Sequence, residues 1–379
     1  MDHRLVLVVG VVASIASRQF LALAPFESVA LTQMAQVGAY HALDSMTARR
    51  GLLRRQCGPY LSRSDLQFRY AAHRGHPQEL HPLGLAKRWP THPAGVVAST
   101  RALGGRPYGI AVAGDGTTYV ALIGTNSLRR GDLGSADFTT SVEVGSTPPH
   151  VVINPAGTRA YATLQTGRAI AVVDVAANAL LATVPLSSDG FNLAIAPTGE
   201  RVYVTTATGT LYILDARSYT VLDTLNVGRA ANGLAFSPDE CTLYVSSRDA
   251  GTVTAVSTSS HVITRVYYTG GMPQRVAVAP DGLELYVANE QAGLNVVDVE
   301  SGAVTSIPFG TAAYGLGLTP DGEQLYVLLA EAGEVRILDR ATRAPIKTVG
   351  VGGRPRNVAF DPLGTTALVT TEEAVVFIR

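Results

Sequence analysis

The chain has 379 residues, 46% of them apolar and 16% charged, with 30 Lys+Arg against 30 Asp+Glu. That composition supports a sizeable core and excludes a disordered chain, and the zero charge balance excludes a protein whose main partner is nucleic acid. Two cysteines are too few for a disulfide framework or a structural zinc site.

The charge is unevenly spread. Residues 1–94 hold 11 Lys+Arg against 5 Asp+Glu, which leaves 19 against 25 in residues 95–379. The first segment opens with MDHR and an apolar run from Leu5 to Ala16. Such a run is too short to span a bilayer but has the length of a signal-peptide core, and Ser14 and Ala16 are small residues placed for cleavage. This predicts export to the periplasm, the cell surface or the medium, with no membrane span. A misassigned start codon is the competing account of the same stretch. Residues 27–56 read as a helix interrupted by Gly38, and residues 58–93, rich in His, Arg and Pro, read as a poorly ordered linker. His73, His76 and His81 have no Cys or Asp beside them, so no metal is assigned there. Cys57 and Cys241 lie in different segments, which favours two inert thiols over a bridge.

From residue 95 onward the chain repeats. A turn signal recurs as GDG at Gly114, PAG at Pro155, PTG at Pro197, PDE at Pro238, PDG at Pro280, PDG at Pro320 and PLG at Pro362, at intervals of 40 to 42 residues. A few positions later come Tyr119, Tyr161, Tyr203, Tyr244, Tyr286, Tyr326 and Leu368. Each unit reads as four short strands: an apolar run before the turn, a Tyr-Val strand after it, an alternating strand closing on Asp, and a last strand ending in Val-Gly or its like. Glycines at 167, 209, 251, 293 and 333 mark tight hairpins that need positive φ. Four strands at this period predict an all-β, seven-bladed β-propeller.

The middle residue of each first strand is small: Ala111, Ala194, Ala235, Gly317, Ala277 and Ala359, with Val152 the largest. Blades converge at the axis, where only a small side chain fits against the neighbouring blade. The continuous apolar character of these strands reads as burial on both faces. The last unit ends at Arg379 after three strands, and Val96–Leu103 is available as its fourth. The prediction is an N-terminal strand that completes the last blade and leaves no open sheet edge.

The segments YVA at 119, YVT at 203, YVS at 244 and YVA at 286, with Pro-Asp-Gly upstream and an apolar pair ending in Asp downstream, resemble those of the YVTN-repeat β-propellers. These belong with the cytochrome-type and lactonase-like seven-bladed propellers. The resemblance covers residues 95–379 and implies a protein that is often exported and frequently has no assigned reaction. It weakens in the first unit, where Arg129-Arg130-Gly131 reads as an interruption of the third strand. Residues 95–379 contain no Trp and the chain no C-x-x-C-H, so neither a tryptophan-docked quinoprotein nor an attached c-type haem is supported, and no cofactor is assigned.

In a propeller the loops leading into the first strands share one face with the loops between second and third strands, around the mouth of the central channel. The lead-in residues are Tyr108, His150, Phe191, Asn192, Asn232, Gln274, Arg275, Tyr314, Arg356 and Asn357, a ring of aromatics, amides and cations. The other loops add Gln165, Arg248, Asp249, Glu290, Glu331, Glu372 and Glu373. Convergent polar groups in a concavity make this the expected binding site, although the same ring would also serve to line a water-filled funnel. The function expected is an extracytoplasmic binding or scaffold module, monomeric, holding a protein, peptide, glycan or small ligand. A lactonase-like hydrolase or lyase is the alternative and a structural cell-surface protein the second. Calcium chemistry takes six to eight oxygens, while the ring offers Asn192, Asn232 and Asn357 without a carboxylate, so Glu290 or Glu331 would have to reach inward. The aspartates Asp132, Asp174, Asp215, Asp298 and Asp339 are read as turn formers and the repeated tyrosines as core.

Overall fold

A computed structural model describes residue 93 and residues 95–379. The expectations for the apolar run, the helix over 27–56, the linker, the histidines at 73, 76 and 81, and Cys57 lie outside the described residues. Cys241 is disulfide-bonded, which corrects its reading as an inert thiol.

The described chain is all strand, β1 to β28, in seven four-stranded antiparallel sheets. Blade 1 is β2–β5 (Pro107–Glu143, with β4 at Ser127–Asp132), and blades 2 to 6 follow as β6–β9 (Val151–Pro185), β10–β13 (Gly190–Asn226), β14–β17 (Ala231–Tyr268), β18–β21 (Pro273–Ile307, with β18 at Pro273–Val278) and β22–β25 (Ala313–Gly350); β26, β27 and β28 are Asn357–Phe360, Ala367–Thr370 and Ala374–Ile378. Blade 7 has the order β1-β28-β27-β26, so the N-terminal strand Val97–Ala102 supplies its outer edge. β1 pairs with β28 from Val97 opposite Ile378 to Ala102 opposite Ala374, as the missing fourth strand required. No helix among the described residues is long and apolar enough to cross a membrane.

The alternation of each blade follows from its place in the ring. Second and third strands are buried on both faces, as in Thr117–Leu122 and Ala374–Ile378, because each blade is packed between two others. Fourth strands are exposed over most of their length, as in Pro345–Gly350. The first strands depart from expectation. Their apolar residues, such as Ala111, Val112, Ala194 and Ile195, are only partly buried, since one face borders the central channel. The demand for small side chains there holds: a Cβ on Gly317 would come within 2.5 Å of Val358 and 3.0 Å of Phe360 in the next blade.

Seven apolar clusters hold the ring together, each joining two adjacent blades. Leu103, Ile110 and Leu122 pack with Leu368, Val375 and Phe377, and so close blade 1 on blade 7. The repeated tyrosines are core residues with a polar tip. The Tyr119 hydroxyl donates to Asn178 Oδ1 at 2.8 Å and that of Tyr161 to the Ala216 carbonyl at 3.0 Å, each in the next blade. The repeated aspartates are turn formers. Asp215 Oδ1 accepts from the Arg217 and Ser218 amides at 2.9 and 2.7 Å, and Asp132, Asp174, Asp298 and Asp339 accept from amides two or three residues on.

Two details correct the sequence reading. β4 runs unbroken through Arg129-Arg130-Gly131; Phe138 lies over Gly131, and Arg130 reaches out to the Val175 carbonyl at 2.9 Å. The hairpin glycines 209, 251, 293 and 333 take positive φ, but in blade 2 Arg168 does so (φ 46°) in place of Gly167.

Candidate functional site

The site residues sit where the inner strands are irregular. Pairing of first and second strands shifts register between Pro107 and Ile110, Gly190 and Asn192, Ala231 and Leu234, Pro273 and Val276, and Ala313 and Gly315. Such bulges re-aim side chains, and here they turn the residues flanking the first strands toward the channel mouth. A bulge also orphans backbone groups, and the third residue of the Tyr-Val-Thr/Ser motif satisfies them. Thr205 Oγ1 accepts from the Asn192 amide at 3.2 Å and donates to the Asn232 carbonyl of the next blade at 3.0 Å. Ser246 accepts from the Gly233 amide at 2.8 Å and donates to the Gln274 carbonyl; in blade 7, where the inner pairing is unshifted, Thr370 still links the Asn357 amide (3.1 Å) to the Tyr108 carbonyl.

Above these bulges opens a cavity of about 730 Å³. Of the predicted ring, Tyr108, His150, Phe191, Asn232, Gln274, Tyr314 and Arg356 line it, together with Gln165, Arg248, Asp249, Glu290 and Glu331. Arg275 does not line it, and neither do Asn192 and Asn357. The Oδ1 of each asparagine accepts from the amide of its own successor, Leu193 at 2.8 Å and Val358 at 3.0 Å. Two of the three asparagine oxygens considered for a calcium site therefore bond backbone, while Asn232 lines the cavity, and among the described residues no group of three His, Cys, Asp or Glu is gathered for a metal. The lining also includes Thr147, Arg229 and Arg354, which the sequence reading missed. They lie on the connections from each fourth strand to the next blade, just after Gly145, Gly228 and Gly353, and the Val-Gly signal marks that position.

Two polar networks organise the mouth. On one side Asn232 donates to Gln274 and Gln274 to Glu290, whose carboxylate accepts from Arg248 Nε at 3.1 Å. The Glu290 bond raises the Arg248 pKa. On the other side the Tyr108 and Tyr314 hydroxyls meet, and the Arg356 guanidinium lies 5.5 Å and 5.1 Å from the two ring centroids. Burial alone would lower the Arg356 pKa, but the bond to Glu372 and the two phenols outweigh it and the value rises. Burial, and then the neighbouring Tyr314, push the Tyr108 phenol well above its ordinary value. Glu331 pairs with Arg354.

Arg275 bridges the channel floor. It projects from β18 in blade 5, and its Nη2 lies 2.9 Å from both ring nitrogens of His150 in blade 2. The His150 ring also meets Tyr108 edge-on at 5.6 Å. Burial, with the Arg275 charge second, holds His150 far below the usual imidazole pKa, so it is neutral at physiological pH. His150 and Glu290 form no hydrogen bond or ion pair; each is committed to other partners.

No protein-family model and no curated protein matches the sequence. Among solved structures the chain is similar to hydrazine synthase of Kuenenia stuttgartiensis, with a TM-score of 0.66 and 17% identity over 76% of this chain and 99% of that one. A likeness at that identity concerns the fold alone, and the fold is the seven-bladed β-propeller.

Proposed function

We propose that this protein is an extracytoplasmic binding module of the YVTN-repeat type that holds a partner or small ligand at the channel mouth. One observation carries the reading: a concave site of about 730 Å³ into which two aromatic hydroxyls, three side-chain amides and several guanidiniums converge from different blades. A concavity walled by a rigid ring and equipped with a few fixed polar groups is the usual form of a small-ligand or peptide site. Tyr and Arg at its centre are the residue types that carry most binding energy in such places. Export rests on the apolar run from Leu5 to Ala16 and the small residues Ser14 and Ala16 at its end.

The test uses the full-length protein, probed against arrays of glycans and peptides. Tyr314→Ala and Arg248→Ala, each verified by an unchanged circular dichroism spectrum, are expected to lose the bound set. A set retained by both variants would place binding elsewhere on the molecule. The export reading is tested separately, by the mass of the protein recovered from the periplasmic fraction, which should lack the residues up to Ala16.

A further inference from the structure

Among the described residues, Arg275 is the one charged residue on the seven inner strands. Among the described residues it also lacks a carboxylate partner, as the exposed Arg229 of the rim does. Arg248, Arg354 and Arg356 each have a carboxylate, respectively Glu290, Glu331 and Glu372. Arg275 has none. Its hydrogen-bond partner is His150, whose two ring nitrogens lie equally far from one Nη, so the contact offers a single lone pair at best. The other groups near it are the phenols Tyr108 and Tyr314.

None of these three neighbours is a carboxylate. Burial lowers the Arg275 pKa, yet a guanidinium keeps its proton in proteins. The floor of the mouth therefore holds a fixed positive charge, only partly exposed, without a carboxylate counterion among the described residues. An isolated charge in such a place is costly, and a bound anion removes that cost. The surroundings suit one. Arg275 does not line the cavity itself, but its contact His150 and the nearby phenols Tyr108 and Tyr314 do, as does Gln274. Of the two tyrosine hydroxyls, bonded to each other, one spends its proton on the other and the second keeps its own for an arriving oxyanion. At the rim Arg229 is exposed and has no carboxylate within ion-pairing distance, so it adds positive potential along the way in.

We propose that the floor of the channel mouth is an anion subsite in which Arg275, with the Tyr108 and Tyr314 hydroxyls, receives the carboxylate or phosphoryl group of a ligand. This rests on the reading of the mouth as a binding site and adds the charge of what it binds. On binding, Arg275 exchanges the neutral His150 acceptor for a charged, bidentate one, which is the stronger hydrogen bond.

Calorimetric titration of the full-length protein with inorganic phosphate, glucuronate and glucose tests it. Glucuronate and glucose differ in one carboxylate, so their comparison isolates the charge. Saturable binding of at least one anion is expected, phosphate alone assigning a phosphoryl ligand and glucuronate alone a carboxylate. Glucose should bind about tenfold more weakly than the preferred anion, or not at all. Arg275→Gln should abolish anion binding and raise the melting temperature, because it removes an uncompensated charge. Arg275→Lys, which keeps the charge, should retain weakened anion binding. The proposal is overturned if neither anion binds, if glucose binds as well as the anion, or if Arg275→Gln binds as the wild type does. It is also overturned if Arg275→Gln melts lower or fails to fold, since the guanidinium is then a structural strut. Capture of neutral glycans or peptides at the mouth without anion binding would remove this subsite and leave the mouth reading standing.

Discussion

The same residue type does different work at equivalent positions of the repeat. Tyr161 and Tyr326 both fill the core, but the Tyr161 hydroxyl reaches the Ala216 carbonyl while the buried Tyr326 hydroxyl has no partner. A buried unsatisfied hydroxyl destabilises, whereas a satisfied one contributes modestly. Tyr326→Phe is therefore expected to gain about 1 kcal/mol and Tyr161→Phe to lose about the same, read as opposite shifts in denaturant midpoint. The turn aspartates follow from local chemistry. Amides of Ser218 and Arg217 hold the Asp215 carboxyl below its ordinary pKa, and Asp174 and Asp339 are lowered in the same way by groups in their own turns. A depressed folded-state value stabilises the fold above the unfolded carboxyl pKa of about 3.9 and is lost as pH falls through the folded one. Asp215→Ala should accordingly melt below the wild type at pH 7, and the gap should narrow in melts taken below about pH 4.

At the scale of the element, the bulged first strand and the hydroxyl that repairs it act as one device. Thr205 satisfies an amide of its own blade and a carbonyl of the next, and Ser246 and Thr370 do likewise. Blades 1, 5 and 6 have Ala121, Ala288 and Leu328 at that position and lack the link. Thr205→Val keeps the shape but orphans both backbone groups, so a loss of about 2 kcal/mol is expected, while Thr205→Ser should restore most of it; thermal melts compare the three. The Tyr-Val-Thr segment was visible in the sequence as a strand. Its third residue's role was not, because the partners lie 13 and 27 residues away and meet it only once blades stack.

For the whole molecule, closure decides cooperativity. β1 is mostly exposed and buries little itself, yet it covers the edge of β28 and brings blade 7 to full width. Deleting residues 97–102 leaves that edge open beside the Phe377 and Leu103 cluster. The expected outcome is a lower melting temperature, a broadened or split transition, and concentration-dependent aggregation by light scattering. A single unchanged transition would show that the remaining blade interfaces suffice.

The sequence by itself determined the blade count, the strand order within each unit, the turn aspartates, the tyrosine core and the closing strand. All of these follow from spacing and local chemistry that recur in every unit, and repetition makes a weak signal legible. It also brought Tyr108, His150, Gln274 and Tyr314 to one face, since a propeller places all such loops together. Only the tertiary structure decided what they do there. It turned Asn192 and Asn357 onto backbone, opened the first strands to the channel, and set Arg275 of blade 5 against His150 of blade 2, 125 residues apart. Periodicity reports what the units share, whereas a site is made from the positions at which they differ, and those differences meet only across the axis of the closed ring.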